Sequence, residues 1–174
     1  MSRKEPNALF GFLAGALGGA IGTAALAAFQ MGSLKGTEAL EESTSLPYRY
    51  SREQRELQRM FEKAHMQTAD AVADAAGQSL SFSQKEKAAP VTQFAFGILC
   101  AGVYGALAEY VPTVTVGYGT VYGAVLFTGA SEVVLPAMGL VPPPQDRTAV
   151  HHLGGLAGNV VYGAVTEGVR RLLR

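Results

Sequence analysis

With 174 residues, and 14 Lys plus Arg against 14 Asp plus Glu, the chain is neutral and of single-domain size. That balance leaves no basic excess for binding nucleic acid. Only 16% of residues are charged and 21 are Gly, against about 25% charged in soluble domains, which points toward closely packed membrane helices.

The first apolar run, 8–34, carries no charge and follows Arg3 and Lys4. It is far longer than the ~7–15 residues of a signal-peptide apolar core, so it reads as a retained helix. At ~1.5 Å per residue it exceeds a ~30 Å hydrocarbon layer. Gly11, Gly15 and Gly19, with Gly18 and Gly22 offset, put small residues at i and i+4 and predict a close helix–helix face.

Segment 36–87 is different. It holds most of the charge and reads as extramembrane. Ser51 and Gln54 match a capping box, apolar residues recur at helical spacing, and Gly77 suits the position after a helix end. A helix over 51–76 is expected, either capping the bundle or lying on the membrane surface. His65 stands alone on it and reads as solvent-facing.

Three further apolar runs follow, giving expected spans at 8–34, 88–109, 114–140 and 148–172. Pro112 splits the second from the third, and Pro142, Pro143 and Pro144 split the third from the fourth. Such short turns predict antiparallel neighbours. Cys100 lies within the second span, where it can form neither a disulfide nor a thiolate metal site and reads as a small packing side chain. The sequence Val-Tyr-Gly-Ala occurs at 103–106, 121–124 and 161–164. Each copy sets a ring beside a glycine notch (Gly105, Gly123, Gly163) and reads as a packing device. Gly117, Tyr118 and Gly119 lack the lysine of a phosphate loop.

Charges inside a span cost roughly 2.5–3.5 kcal/mol on insertion scales and need partners. Glu132 lies within the third span ahead of Pro136, and His151 and His152 open the fourth. With Lys35 and Arg49 they form a candidate polar cluster. It reads as an ion-pair network that fixes helix packing, with proton or ion handling as the alternative. No metal site is expected, because adjacent histidines splay and no helix offers ligands at i and i+4. At the other end, Glu167 precedes Arg170 and Arg171 at ion-pair spacing, and Glu109 closes the second span near the same level. These four read as an interfacial anchor with snorkelling arginines. Asn159 is expected to hydrogen-bond across helices.

Basic residues flank both chain ends: Arg3 and Lys4, then Arg170, Arg171 and Arg174. An even number of spans with basic ends predicts cytoplasmic termini.

The segment from Glu132 through Leu135 and Pro136 to Pro142 and Pro143 resembles the signature of the YagU-like inner-membrane family. So do the ending from His151 through Val161, Tyr162 and Gly163 to Glu167, Arg170 and Arg171, and the Glu109 that precedes Pro112. Lys35 followed by acids and then Leu46, Pro47, Tyr48 and Arg49 is similar to a degraded form of a further family segment. Ser131, Asn159 and Tyr48 depart from the family pattern, and Asn159 replaces a titratable histidine. The resemblance implies a bacterial inner-membrane protein and supplies no mechanism.

The expected fold is all-α: a four-helix membrane bundle with one additional extramembrane amphipathic helix. The expected function is non-enzymatic and cofactor-free, an accessory or scaffolding component of a membrane assembly. Its partners would be the lipid bilayer and another membrane protein or a second copy of the chain, not nucleic acid. A small transporter or proton-conducting protein is the alternative.

Overall fold

A computed structural model describes residues 5–44 and 48–174. The described residues are almost wholly helical and include no strand. Five helices follow in order: α1 (Ala8–Thr44), α2 (Arg49–Ala75), α3 (Phe82–Tyr110), α4 (Thr120–Ala137) and α5 (Ala149–Leu173). Short 3-10 turns, Pro112–Thr115 and Pro144–Asp146, precede α4 and α5. By length and composition, α1, α3 and α4 are apolar enough to cross a membrane.

The bundle is built on glycine. A Cβ on Gly11 would meet the Gly105 carbonyl oxygen at 2.5 Å, one on Gly15 the Ala101 carbonyl oxygen at 2.1 Å, and one on Gly19 the Gly97 carbonyl oxygen at 2.8 Å. This face of α1 therefore runs antiparallel along α3 at backbone contact. Gly18 and Gly22 turn toward α5, where a Cβ would sit 2.6 Å from Thr166 atoms. α4 packs on the other flank of α5, with Gly123 against the Asn159 carbonyl and Gly163 against that of Gly119. Without a hydrophobic drive between helices in lipid, such close approach maximises dispersion contact. The interior is accordingly small: Ala14, Ala89, Ala101 and Ala108 are buried, while Leu9, Leu13, Leu17 and Ile21 form an exposed stripe on α1. Small residues inside and large apolar ones outside invert the soluble-protein pattern and suit a lipid solvent.

Several boundaries differ from the sequence-based expectation. α1 does not stop near Leu34 but continues to Thr44. At ~1.5 Å per residue it reaches well beyond a ~30 Å hydrocarbon layer. α2 packs back beside this overhang. The Ser51–Gln54 capping pattern is not used, because α2 begins at Arg49. Its leading N–H groups, from Tyr50 and Ser51, donate instead to the buried Glu41 carboxylate of α1 at 2.8 and 3.3 Å, an anion at a helix N-terminus. Gln54 hydrogen-bonds Ser33. The reciprocal capping box lies at Ser81 and Gln84, so α3 starts at Phe82, ahead of its apolar run. Gly77, at φ +73°, ends α2 through Gly77 N–H to Asp74 and Gln78 N–H to Ala73, both bonds of a Schellman motif.

α4 begins at Thr120, not 114, because Gly117, Tyr118 and Gly119 all have positive φ and cannot continue a right-handed helix. Phe127–Val134 of α4 is π-helical. α3 and α4 meet through the stacked rings of Tyr104 and Tyr122, whose centroids are 4.1 Å apart.

Candidate functional site

Polar side chains gather at the two ends of the bundle, with a tyrosine layer between them. The first cluster begins with a proline. In the π register the Leu135 N–H bonds the Ala130 carbonyl. The next donor would be residue 136 to Ser131, but Pro136 has no N–H. Arg147 supplies the missing donor: its Nη2 lies 3.2 Å from the Ser131 carbonyl and 2.7 Å from Glu132 Oε2. The Arg147 side chain is 2% exposed and that of Glu132 14%. A single guanidinium therefore closes the broken helix ladder and neutralises the costly carboxylate. His152 Nδ1 lies 3.1 Å from the same Oε2, and its Nε2 donates to the Pro144 carbonyl at 3.0 Å.

Beside it, Glu53 of α2 accepts from the Thr148 hydroxyl at 2.9 Å and from Arg49 at 3.1 Å. His151 Nε2 donates to the Glu53 carbonyl oxygen at 2.8 Å. The Thr148 hydrogen bond, joined by Arg49, holds the Glu53 carboxyl below the usual carboxylate range against the opposing effect of burial. At Glu41 burial pushes the carboxyl upward, but hydrogen bonds from Ser51 and Tyr50 and the charge of Arg55 outweigh it. Arg55 pairs with Glu38 of α1, and Lys85 of α3 with Asp70 of α2. A cleft of about 570 Å³ opens here between Arg49, Arg52, Glu53, Asp146, Thr148 and His151.

The structure thus brings Glu132 to His152 and joins Arg49 and His151 through Glu53. It does not bring in Lys35, which is exposed on α1 and has no ion pair among the described residues. Sequence reasoning missed Arg147, the residue that organises the cluster. The signal was available in Pro136, which strands a carbonyl, and in Arg147 as the charged residue of the turn leading into α5. His65 is half-buried rather than solvent-facing, and burial lowers its pKa. Arg3, Lys4, Leu46 and Pro47 lie outside the described residues.

At the opposite end Glu167 is fully buried. It accepts from Arg170 at 2.7 and 2.9 Å, from Arg171 at 2.5 Å and from the Tyr104 hydroxyl at 2.9 Å. Glu109 lies 3.6 Å from Arg170 and 3.3 Å from Arg174. Arg170 is itself buried, so it does not snorkel, whereas Arg171 and Arg174 are partly exposed. Arg171 also covers the Tyr118 ring, 4.5 Å from its centroid, which buttresses the left-handed turn by a cation–π contact.

The three Val-Tyr-Gly-Ala copies converge between these ends. Tyr104, Tyr122 and Tyr162 form one ring cluster. Tyr122 and Tyr162 hydroxyls lie 3.3 Å apart, and Tyr162 donates to the Gly97 carbonyl at 2.6 Å. Asn159 bonds the Gly155 carbonyl of its own helix at 3.0 Å rather than a neighbouring helix. Among the described residues no group of three or more His, Cys, Asp or Glu side chains could hold a metal ion.

Residues 42–168 match the model of a family described as a protein of unknown function, DUF1440. No curated protein and no solved structure matches the chain. The match spans well over half the sequence, from α1's overhang to Glu167 and Gly168, and the chain belongs to the DUF1440 family.

Proposed function

We propose that this protein is a non-catalytic, four-pass membrane protein of the bacterial inner membrane, as its resemblance to the YagU-like family implies, and that it serves as an accessory or scaffolding component of a membrane assembly. α5 is the fourth pass: it runs antiparallel to α1 and α4 and packs along both. The basic residues of its last turn, Arg170 and Arg171, keep both termini on the cytoplasmic side. α2 and the α1 overhang then cap the far side. The partners are the surrounding lipid and a second membrane protein or copy of the chain.

One observation carries this reading. The buried carboxylates Glu41, Glu109 and Glu167, and the half-buried Glu132, each engage a partner within the chain. Groups that an enzyme or carrier would turn toward a substrate instead join one helix to the next. Buried ion pairs are costly to assemble and very destabilising to break, which suits a rigid structural element. Purification in mild detergent, followed by native mass measurement, tests the proposal. A species larger than the 18.2 kDa chain is expected, and a strict monomer in native lipid would contradict it.

A second reading, proton or ion movement through Glu132, is favoured by one feature. Glu132 sits in a π-helical segment, a geometry frequent at functional sites. Proteoliposomes loaded with a pH-sensitive dye decide it: equal background fluxes for wild type and Glu132→Gln would eliminate transport.

A further inference from the structure

The cleft between α2 and the α4–α5 turn holds charges that the chain does not match. Within it Arg49, Glu53 and Thr148 satisfy one another. Arg52 and Glu56 of α2 and Asp146 of the turn also line it, and all three are exposed. None of them has an ion pair among the described residues. One cation and two carboxylates are therefore left over. A lone anion would meet both carboxylates, and a lone organic cation would leave Arg52 unmatched. A metal ion lacks a donor set, because no three His, Cys, Asp or Glu side chains gather among the described residues. A ligand that carries both signs satisfies all three groups, with an anion for the Arg52 fork and a cation for Glu56 and Asp146. His151 lines the cleft too and is 6% exposed, yet its Nδ1 has no hydrogen-bond partner among the described residues. Its Nε2 donates to the Glu53 carbonyl, so Nδ1 of the neutral ring can only accept. The cationic part of the ligand should accordingly carry N–H groups.

The cleft lies where one such ligand is concentrated. α4 is apolar enough to cross a membrane and ends at Ala137, and the Pro144–Asp146 turn follows it. That is the level of the lipid headgroups. Tyr48 lines the same cleft and is exposed, and tyrosine is enriched at that level. We propose that this cleft binds the headgroup of phosphatidylethanolamine, with its phosphate on Arg52 and its primary ammonium on Glu56 and Asp146. A choline headgroup has no N–H to donate, and quaternary ammonium groups are held by cages of several aromatic rings. Tyr48 is the one aromatic residue in this lining. A phosphatidylglycerol headgroup offers no cation to the carboxylates. Because its two ends bind α2 and the turn, the bound headgroup ties the extramembrane helix to the membrane surface. The inference rests on the membrane placement of α4 and not on the scaffolding role, and it is read on the chain without any protein partner.

The test is native mass spectrometry of the full chain in detergent micelles doped with a lipid series of identical acyl chains. The series holds equal amounts of phosphatidylethanolamine, its N-methyl and N,N-dimethyl forms, phosphatidylcholine and phosphatidylglycerol. Retention should fall with each added methyl, to on the order of tenfold less for phosphatidylcholine than for phosphatidylethanolamine. Phosphatidylglycerol should be retained no better than phosphatidylcholine. The variants alter exposed side chains, so the fold is kept. Glu56→Gln combined with Asp146→Asn should erase the preference for the primary ammonium. Arg52→Gln should instead lower retention of phosphatidylethanolamine and its methylated forms alike. Arg59→Gln, exposed on α2 outside the cleft lining, should leave both retention and preference as in the wild type. Soluble glycerophosphoethanolamine at the lipid's concentration should not displace the lipid, and displacement would make the free headgroup the ligand instead. Equal retention of phosphatidylethanolamine and phosphatidylcholine, or a preference that survives the double substitution, would overturn the assignment. So would an Arg52→Gln protein that binds like the wild type, or an Arg59→Gln protein that loses as much as Arg52→Gln.

Discussion

Substituting Gly18 by Ala isolates the backbone contact between α1 and α5. The added Cβ would lie 2.6 Å from the Thr166 carbonyl oxygen and 3.2 Å from the Thr166 carbonyl carbon and Cα. All three are main-chain atoms, so no rotamer change relieves the clash. Ordinary contact begins near ~3.5 Å, so the helices must part by about 1 Å, a gap that forfeits roughly a quarter to a half of each affected dispersion well. The Thr166 hydroxyl bond to the Gly18 carbonyl, already 3.4 Å long, is lost with it. Overpacking of this kind costs about 1–3 kcal/mol. Gly32 supplies the control: it lies on the same helix, and no atom comes within 4 Å of where its methyl would sit. Gly32→Ala should therefore stabilise by about 0.5–1 kcal/mol through backbone entropy. Both variants can be unfolded with SDS in mild detergent and followed by circular dichroism. Opposite signs are expected, and a Gly18→Ala protein as stable as Gly32→Ala would refute the packing argument.

Tyr104→Phe removes a hydrogen bond to the buried Glu167 carboxylate while leaving the ring stack; the same titration should register a loss of about 1.5–3 kcal/mol. Arg147→Met strands the Ser131 carbonyl and Glu132 together and should cost about 3–5 kcal/mol. Adding Glu132→Gln to it should restore part of that loss, which a double-mutant cycle would resolve. The lowered Glu53 carboxyl contributes stability that is complete above its unfolded pKa of about 4.3 and disappears as pH falls through the lower folded value. Seating of α2, measured by its amide exchange, should therefore weaken in that acid window, and Glu53→Gln should flatten the dependence.

The apolar runs made α1 and α3 legible because a bilayer leaves an uncharged stretch no conformation but helix. The spacing of Glu167, Arg170 and Arg171 likewise announced an ion-pair cluster. What the pattern concealed was set by tertiary partners. Lys35 looked like the end of a span, yet a charge does not end a helix, and α1 runs on until Glu41 can reach the N-terminus of α2. The capping pattern read at Ser51 and Gln54 is not the one the structure uses. Only Ser81 is used, because Glu41 already serves the donors at Tyr50 and Ser51. The three Val-Tyr-Gly-Ala copies were visible as packing units. Their convergence on one tyrosine cluster needed the antiparallel register that the glycines impose. Arg147 was overlooked because its partner is a backbone carbonyl released by Pro136 in a π-helical register, and no residue pattern displays that register.

The central claim is that α5 crosses the membrane as a fourth pass, leaving both termini on one side and α2 on the other. With the single cysteine removed as Cys100→Ala, cysteines placed at the exposed positions Glu5, Gln78 and Leu172 report the side of each segment to an impermeant thiol reagent in intact cells. The account predicts labelling at Gln78 alone, with Glu5 and Leu172 reacting only after lysis. Labelling of Leu172 together with Gln78 would place the end of α5 beside the cap and contradict the fourth crossing.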